Sequence, residues 1–239
     1  MDFSFKINEN LLLVNTLVKA KGNNLPFSAW VNLQNTLWEK HKRGYSLLKN
    51  GFENEIAFDT LQESVDDISA LIDEGKKSKE FGRVLNEVED YKKELESKWQ
   101  KDGQKASAFL EEILKIKLPD KEFTVLITHP KVGNGKYAGE NTIIWGHEEN
   151  WPNYSIVYLF HEALHEILGK GKFVHEIIEL ASDNELRIRL NGKGEYFTEN
   201  GQQVGHLDLI ESEKKLLPNW QKYLKDPNMT IFEFLKSLE

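Results

Sequence analysis

Cysteine is absent from the 239 residues. That excludes disulfides and thiolate-held metals, and leaves histidine and carboxylate as the metal-binding side chains. It also agrees with a cytoplasmic protein, which is the expected location. Long apolar runs are missing too. No stretch approaches the roughly 20 residues that a membrane-spanning helix needs, so no membrane partner is expected. Residues 1–6 lack a basic segment followed by an apolar core, so no secretory leader is expected. No basic patch with interleaved aromatics occurs and the net charge is −8, which removes nucleic acid from the expected partners. Internal repeats and low-complexity tracts are also absent. The sequence leaves the oligomeric state open.

What is present suffices for a core: apolar residues make up 39% of the chain, with six Trp and thirteen Phe. The first half reads as helical. Residues 24–28 form a break, with Ser28 as a helix N-cap. Trp30, Leu33, Leu37, Trp38, Tyr45 and Leu48 then recur at helical spacing. A second helix follows Asp59, carrying Leu61, Val65, Ile68, Leu71 and Ile72, and stops near Gly75. A third carries Phe81, Val84, Leu85, Val88, Tyr91, Leu95 and Trp99, and its outer face mixes acid and base as a solvated surface does. A fourth spans about 106–117 and ends at Pro119.

The period then changes. Residues 123–128 are β-branched and apolar, and Pro130 ends them. Residues 132–135 (Val-Gly-Asn-Gly) are turn chemistry, and Thr142–Gly146 reads as a second strand. Trp151-Pro152-Asn153 opens a helix with proline in its first turn. After Leu190 come loops, a short strand near Tyr196, a turn at Asn200-Gly201, a helix with Leu209, Leu216, Trp220 and Tyr223, and a last short helix with Ile231 and Phe234.

The helix opened by Pro152 holds the most informative residues. His161-Glu162-Ala163-Leu164-His165 spells HExxH inside an apolar run. Residues i and i+4 share a helix face, so both imidazoles can reach one ion, with Glu162 one step round. Two neutral imidazoles on a metal and a carboxylate as general base make the zinc-peptidase arrangement. Apolar flanks bury this helix, and buried polar groups need partners, because each costs roughly 2–7 kcal/mol without them. Gly169-Lys170-Gly171 ends it. A second helix starts near Phe173 and carries His175, Glu176, Glu179, Asp183 and Glu185. A short loop brings the two helices face to face, so a third ligand lies one or two turns into the second. Glu179 fits that place. His175, one turn earlier on the same face, and Glu185 are its rivals.

HExxH followed by Glu179-Leu180-Ala181-Ser182-Asp183 resembles the gluzincins, the thermolysin-like zinc metallopeptidases. The resemblance covers this helix pair. It implies Zn2+ as cofactor, His161, His165 and Glu179 as ligands, and Asp183 as the carboxylate that orients a ligand imidazole through its second nitrogen. Arg187, one turn on, is placed to pair with Asp183. The chain departs from the family in having fewer residues between His165 and Glu179, and Glu185 falls nearer the family offset. The metzincin pattern fails, since its glycine and third histidine would fall at Leu168 and Gly171.

The order of small sheet, HExxH helix and ligand-bearing helix also resembles the zincin layout, in which an edge strand binds substrate in extended form. Thr142, Ile143, Ile144 and Trp145 are the expected substrate strand. Such enzymes use a tyrosine and a histidine on the oxyanion. No tyrosine lies between His165 and Glu179, so Tyr196 and His206 are the expected catalytic partners of Glu162, with Tyr158 as a further candidate. His41, His129 and His147 have no motif around them. The expected fold is α+β and mainly helical: a helical region over 1–118 and a minimal zincin-like unit over 119–239. The expected function is zinc-dependent hydrolysis of a peptide or protein substrate. The alternative is a non-catalytic zincin-like protein that docks a partner through its helical half.

Overall fold

The structure is a computed structural model and describes residues 1–19, 28–53 and 65–239. The break read at residues 24–27 and the helix start read at Asp59 and Leu61 lie outside those residues. The architecture is α+β and 64% helical, with one small mixed sheet of four strands.

The chain opens with a strand, β1 (Asp2–Lys6), where only helices were expected. Its alternation is plain in Asp-Phe-Ser-Phe-Lys, with Phe3 and Phe5 facing the core. β1 lies parallel to β2 (Glu122–Ile127), with Asp2 opposite Glu122 and Lys6 opposite Leu126. Parallel neighbours need a crossover. Here that connection contains α1 (Glu9–Lys19), α2 (Ser28–Lys40), α3 (Lys42–Glu53), α4 (Val65–Lys76) and α5 (Lys79–Leu114). The helical region expected over 1–118 is thus an insertion between two strands of one sheet, and the sheet crosses the expected boundary.

α5 is a single helix of 36 residues, where two helices were read. Ser78 caps it, its side chain accepting from the Phe81 amide at 3.1 Å. One buried stripe, Phe81, Val84, Val88, Tyr91, Leu95, Ala106, Leu110 and Ile113, continues through Gly103 without interruption. The helix ends at Lys115, in the left-handed region at φ 53°, whose ammonium binds the Tyr223 and Asp226 carbonyls.

β3 (Asn134–Gly139) and β4 (Thr142–Gly146) form a hairpin. Its turn residues Glu140 and Asn141 both have positive φ, which matches the turn to the strand twist. The sheet order is β1-β2-β4-β3. β4 therefore pairs on both sides, parallel with β2 and antiparallel with β3. This corrects the expectation of an open edge at Thr142, Ile143, Ile144 and Trp145. Ile143 and Trp145 face the core, and the edge strand beside β4 is β3, whose first two residues were read from sequence as part of a turn.

α6 (Tyr154–Leu168) is the HExxH helix and begins two residues after Pro152. It packs between the sheet and α5, with Phe160 5.7 Å from the Trp99 ring and 5.6 Å from Phe3. α7 (Val174–Glu179) follows the turn and widens into a π-helical stretch, Leu180–Leu186, before α8 (Arg187–Asn191). After the short strands β5 (Thr198–Glu199) and β6 (Gln202–Gln203), α9 (Ile210–Lys225) and α10 (Ile231–Ser237) close the chain. Trp220, Tyr223, Ile231 and Phe234 hold these last helices to the core.

Candidate metal centre

Gly169 stops α6 at φ +72°, a conformation glycine adopts at no steric cost. The tight return through Phe173 lays α7 alongside it. His161 and His165 come from α6, His175 and Glu179 from α7, and His206 from the loop before α9. Ring centroids stand 5.2 Å apart for His161–His165, 5.4 Å for His161–His175, 4.9 Å for His165–His175 and 4.9 Å for His175–His206. Two donor groups result, each with its ligand atoms within 4.8 Å of one another: His161, His165 and His175, and then His175, Glu179 and His206. A tetrahedral ion with metal–nitrogen bonds of about 2.0–2.1 Å holds neighbouring donors about 3.4 Å apart, a spacing inside that limit.

The donors fit a divalent cation. The Nε2 atom of His175 is buried with no hydrogen-bond partner, a costly state for an imidazole nitrogen that a metal bond would relieve. His161 donates through Nδ1 to Asp183 at 2.9 Å, which leaves its Nε2 directed away from the carboxylate. The two imidazoles of α6 have opposite tendencies. Burial disfavours the charged form of His161, but the Asp183 carboxylate overrides it and raises the pKa to about 9. Burial and then the neighbouring histidines push His165 down to about 4, so this ring is neutral at pH 7.

The π-helical stretch places the carboxylates. One wide turn after Glu179 brings Asp183 under His161, and such stretches cluster at functional sites. Asn184 secures the widened turn: its amide donates to the Glu179 carbonyl at 3.0 Å, and its oxygen accepts the Phe197 amide at 2.6 Å. Arg187 does not pair with the Asp183 carboxylate as expected. Its Nε donates to the Asp183 backbone carbonyl at 2.7 Å, and its guanidinium is buried against Glu199.

The sequence reading gave the third place beside His161 and His165 to Glu179. In the structure His175 is the residue within mutual reach of both rings, while the Glu179 carboxylate turns to His206, accepting its backbone N–H at 2.9 Å and its Nδ1. Gly205 permits that approach, since a Cβ there would collide with the Glu179 carboxylate and φ is +83°. Glu185 points elsewhere, bound to Arg189 at 2.8 Å and to the Tyr196 hydroxyl.

The centre opens into a cleft of about 480 Å³ lined by β3, α6, α7 and His206. Glu162 lies in it, and burial raises its pKa. Its carboxylate accepts the Tyr137 backbone N–H at 2.6 Å, which ties the expected general base to the edge strand. His206 is at the mouth, its side chain 51% exposed, and the bond to Glu179 raises its pKa. Tyr196 is not in the cleft: its hydroxyl is shared between Glu185 and the Trp220 indole N–H at 3.1 Å. This corrects its expected place beside the oxyanion. Tyr158 lies closer, 5.9 Å from the His161 ring, and its hydroxyl accepts the Gly205 amide at 3.3 Å.

Two residues of the centre went unread in the sequence. Tyr137 sits on a strand whose glycines resemble a turn. Glu213 is fully buried with no hydrogen-bond partner on either carboxyl oxygen, and burial, then the nearby Glu179 carboxylate, raises its pKa. Its signal was available: Glu213, Leu216, Trp220 and Tyr223 recur at helical spacing, which puts an acid in an apolar stripe. The chain matches no protein-family model, no curated protein and no solved structure.

Proposed function

We propose that this protein is a zinc-dependent peptidase of the gluzincin type. The observation that carries the proposal is the cluster itself: the paired imidazoles of α6 meet an unpartnered imidazole of α7 in an open cleft, with Glu162 one step round the same helix. Three of the four donors His161, His165, His175 and Glu179 fill a site that keeps one position open. The resemblance favours Glu179 for the third place and the distances favour His175.

A bound zinc ion supplies Lewis acidity to the scissile carbonyl and to the attacking water. The remaining work falls to the chain. Glu162, raised by burial, takes the proton from the attacking water and returns it to the leaving amine. An extended peptide adds to the free edge of β3, where substrate competes with Glu162 for the Tyr137 N–H. His206, kept protonated by Glu179, donates to the developing oxyanion from the mouth of the cleft. Asp183 fixes the tautomer of His161.

Glu162→Gln tests the reading. The variant keeps its zinc and loses peptide hydrolysis by about 10²–10⁴-fold. Cleavage at the parental rate sinks the general-base assignment. A second reading, a metal-holding scaffold without hydrolysis, draws on the tether between Glu162 and the Tyr137 N–H. A zinc-loaded protein inert toward a broad peptide library supports that one.

A further inference from the structure

β1 ends the sheet on one side and β3 on the other. The β3 edge belongs to the cleft, and the β1 edge has no part in it. Among the described residues no strand pairs with the outer side of β1. The Asp2 amide donates inward to the Lys121 carbonyl at 3.0 Å. Alternate residues of a strand direct their backbone groups to the same neighbour, so Ser4 and Lys6 also face β2, and Phe3 and Phe5 face out. The Phe3 amide is covered by the Asp2 carboxylate of its own chain, at 2.9 Å. A groove of about 670 Å³ runs along this edge. Met1, Asp2, Phe3, Ser4 and Phe5 all line it. Their side chains point alternately to the two faces, so a groove that meets them all runs along an open edge. Its far wall includes a polar stripe of α5, Glu96, Gln100 and Gln104.

We infer that β1 is a dimer interface, where β1 of a second copy of this chain adds antiparallel and joins the two sheets into one. The strand Asp-Phe-Ser-Phe-Lys is complementary to itself. A two-fold axis through Ser4 sets Asp2 of each copy opposite Lys6 of the other, and Phe3 opposite Phe5. Backbone parity agrees with that register. Phe3 and Phe5, whose N–H and C=O groups point outward, become the hydrogen-bonded pairs. Asp2 and Lys6 then meet at non-hydrogen-bonded positions, where facing side chains stand closest and opposite charges attract. Both are exposed, and Lys6 has no ion-pair partner among the described residues. Charges on an edge ordinarily keep other strands away. Here they have opposite signs at symmetric positions, so they select a copy of the same strand. The cleft opens at the far edge of the sheet, so the dimer leaves both clefts accessible.

Sedimentation equilibrium of the full chain, untagged at its N-terminus, tests this. The parent sediments at twice the 27.7 kDa of one chain. Lys6→Glu sets acid against acid at both ends of the strand pair, and Asp2→Lys sets base against base. Each raises the dimer dissociation constant by about tenfold or more. The two variants mixed in equal amounts regain the dimer, because every charge then faces its opposite. Both substitutions combined in one chain restore it as well. A parent that sediments as a single chain overturns the inference, whether or not a strand of another protein binds this edge. A dimer that neither charge reversal weakens also overturns it, since its interface then lies on another face. So do weakened variants with the parental circular dichroism that neither mixing nor combination restores.

Discussion

The two halves of the molecule bury different things. Among the described residues up to 118, the buried side chains are apolar except for Asn15 and Thr16, and neither is charged. The ion pairs there lie on the surface, as in Lys40–Glu74 and Arg43–Asp67. From residue 119 onward His129, His161, Glu179, Asp183, Arg187, Glu199 and Glu213 are all buried. Taking an ion from water costs several kcal/mol even after relaxation, so a domain that only needed to fold would not gather so many. The first half behaves as a scaffold, and its long α5 presses α6 against the sheet. The second half accepts poor local energetics to hold a polar cluster in register.

That contrast can be broken from either side. The largest effect is expected at Glu199. Glu199→Ala leaves the buried Arg187 guanidinium without its carboxylate and lowers stability by about 3–5 kcal/mol, measured by denaturant unfolding. A loss under about 1 kcal/mol would make this pair equivalent to a surface one. Next comes Asp183→Asn, which keeps the shape and removes the charge that orients His161. Zinc affinity falls by about 10–100-fold in a chelator competition. Unchanged affinity would remove Asp183 from the centre.

The pH dependence of stability should change direction with the metal. Burial opposes and Asp183 favours the charged form of His161, and the net pKa is about 9 against an ordinary 6.5. In the metal-free protein this stabilisation is complete below pH 6.5 and is lost as pH rises through about 9. A cation needs the unprotonated ring, so zinc adds more stability as pH rises over the same window. Melting temperatures from pH 6 to 9, with and without zinc, check the reversal. The same slope in both series would detach His161 from the ion. The smallest effect belongs to the first half: a double-mutant cycle on Arg43 and Asp67, 3.7 Å apart and exposed, gives about 0.2–1 kcal/mol.

The sequence disclosed the parts of the centre that depend on neighbours along the chain. HExxH on a buried helix, the stop at Gly169 and a facing helix bearing His175, Glu179 and Asp183 are all readable, because periodicity and glycine chemistry are local. The parts fixed by distant contacts were not. β1 hides behind a helical first half, although Phe3 and Phe5 alternate. β3 hides behind its glycines, and with it went the identity of the edge strand beside β4. Tyr196 reads as a spare phenol until the fold commits its hydroxyl to Glu185 and Trp220. The π-helical turn leaves no mark in the pattern, yet it decides which acid meets which histidine.

The pairing of β1 with β2 bears on how the chain reaches this state. Asp2 meets Glu122, 120 positions further along the chain. During synthesis the first strand leaves the ribosome long before its partner exists. Its aromatic face must wait, unpaired, until the helices between have formed and brought the two ends together. Closing so long a loop late is slow, and exposed strand edges invite aggregation meanwhile. Refolding should therefore be limited by docking of these first residues, and substitutions at Phe3 should speed unfolding more than they slow helix formation.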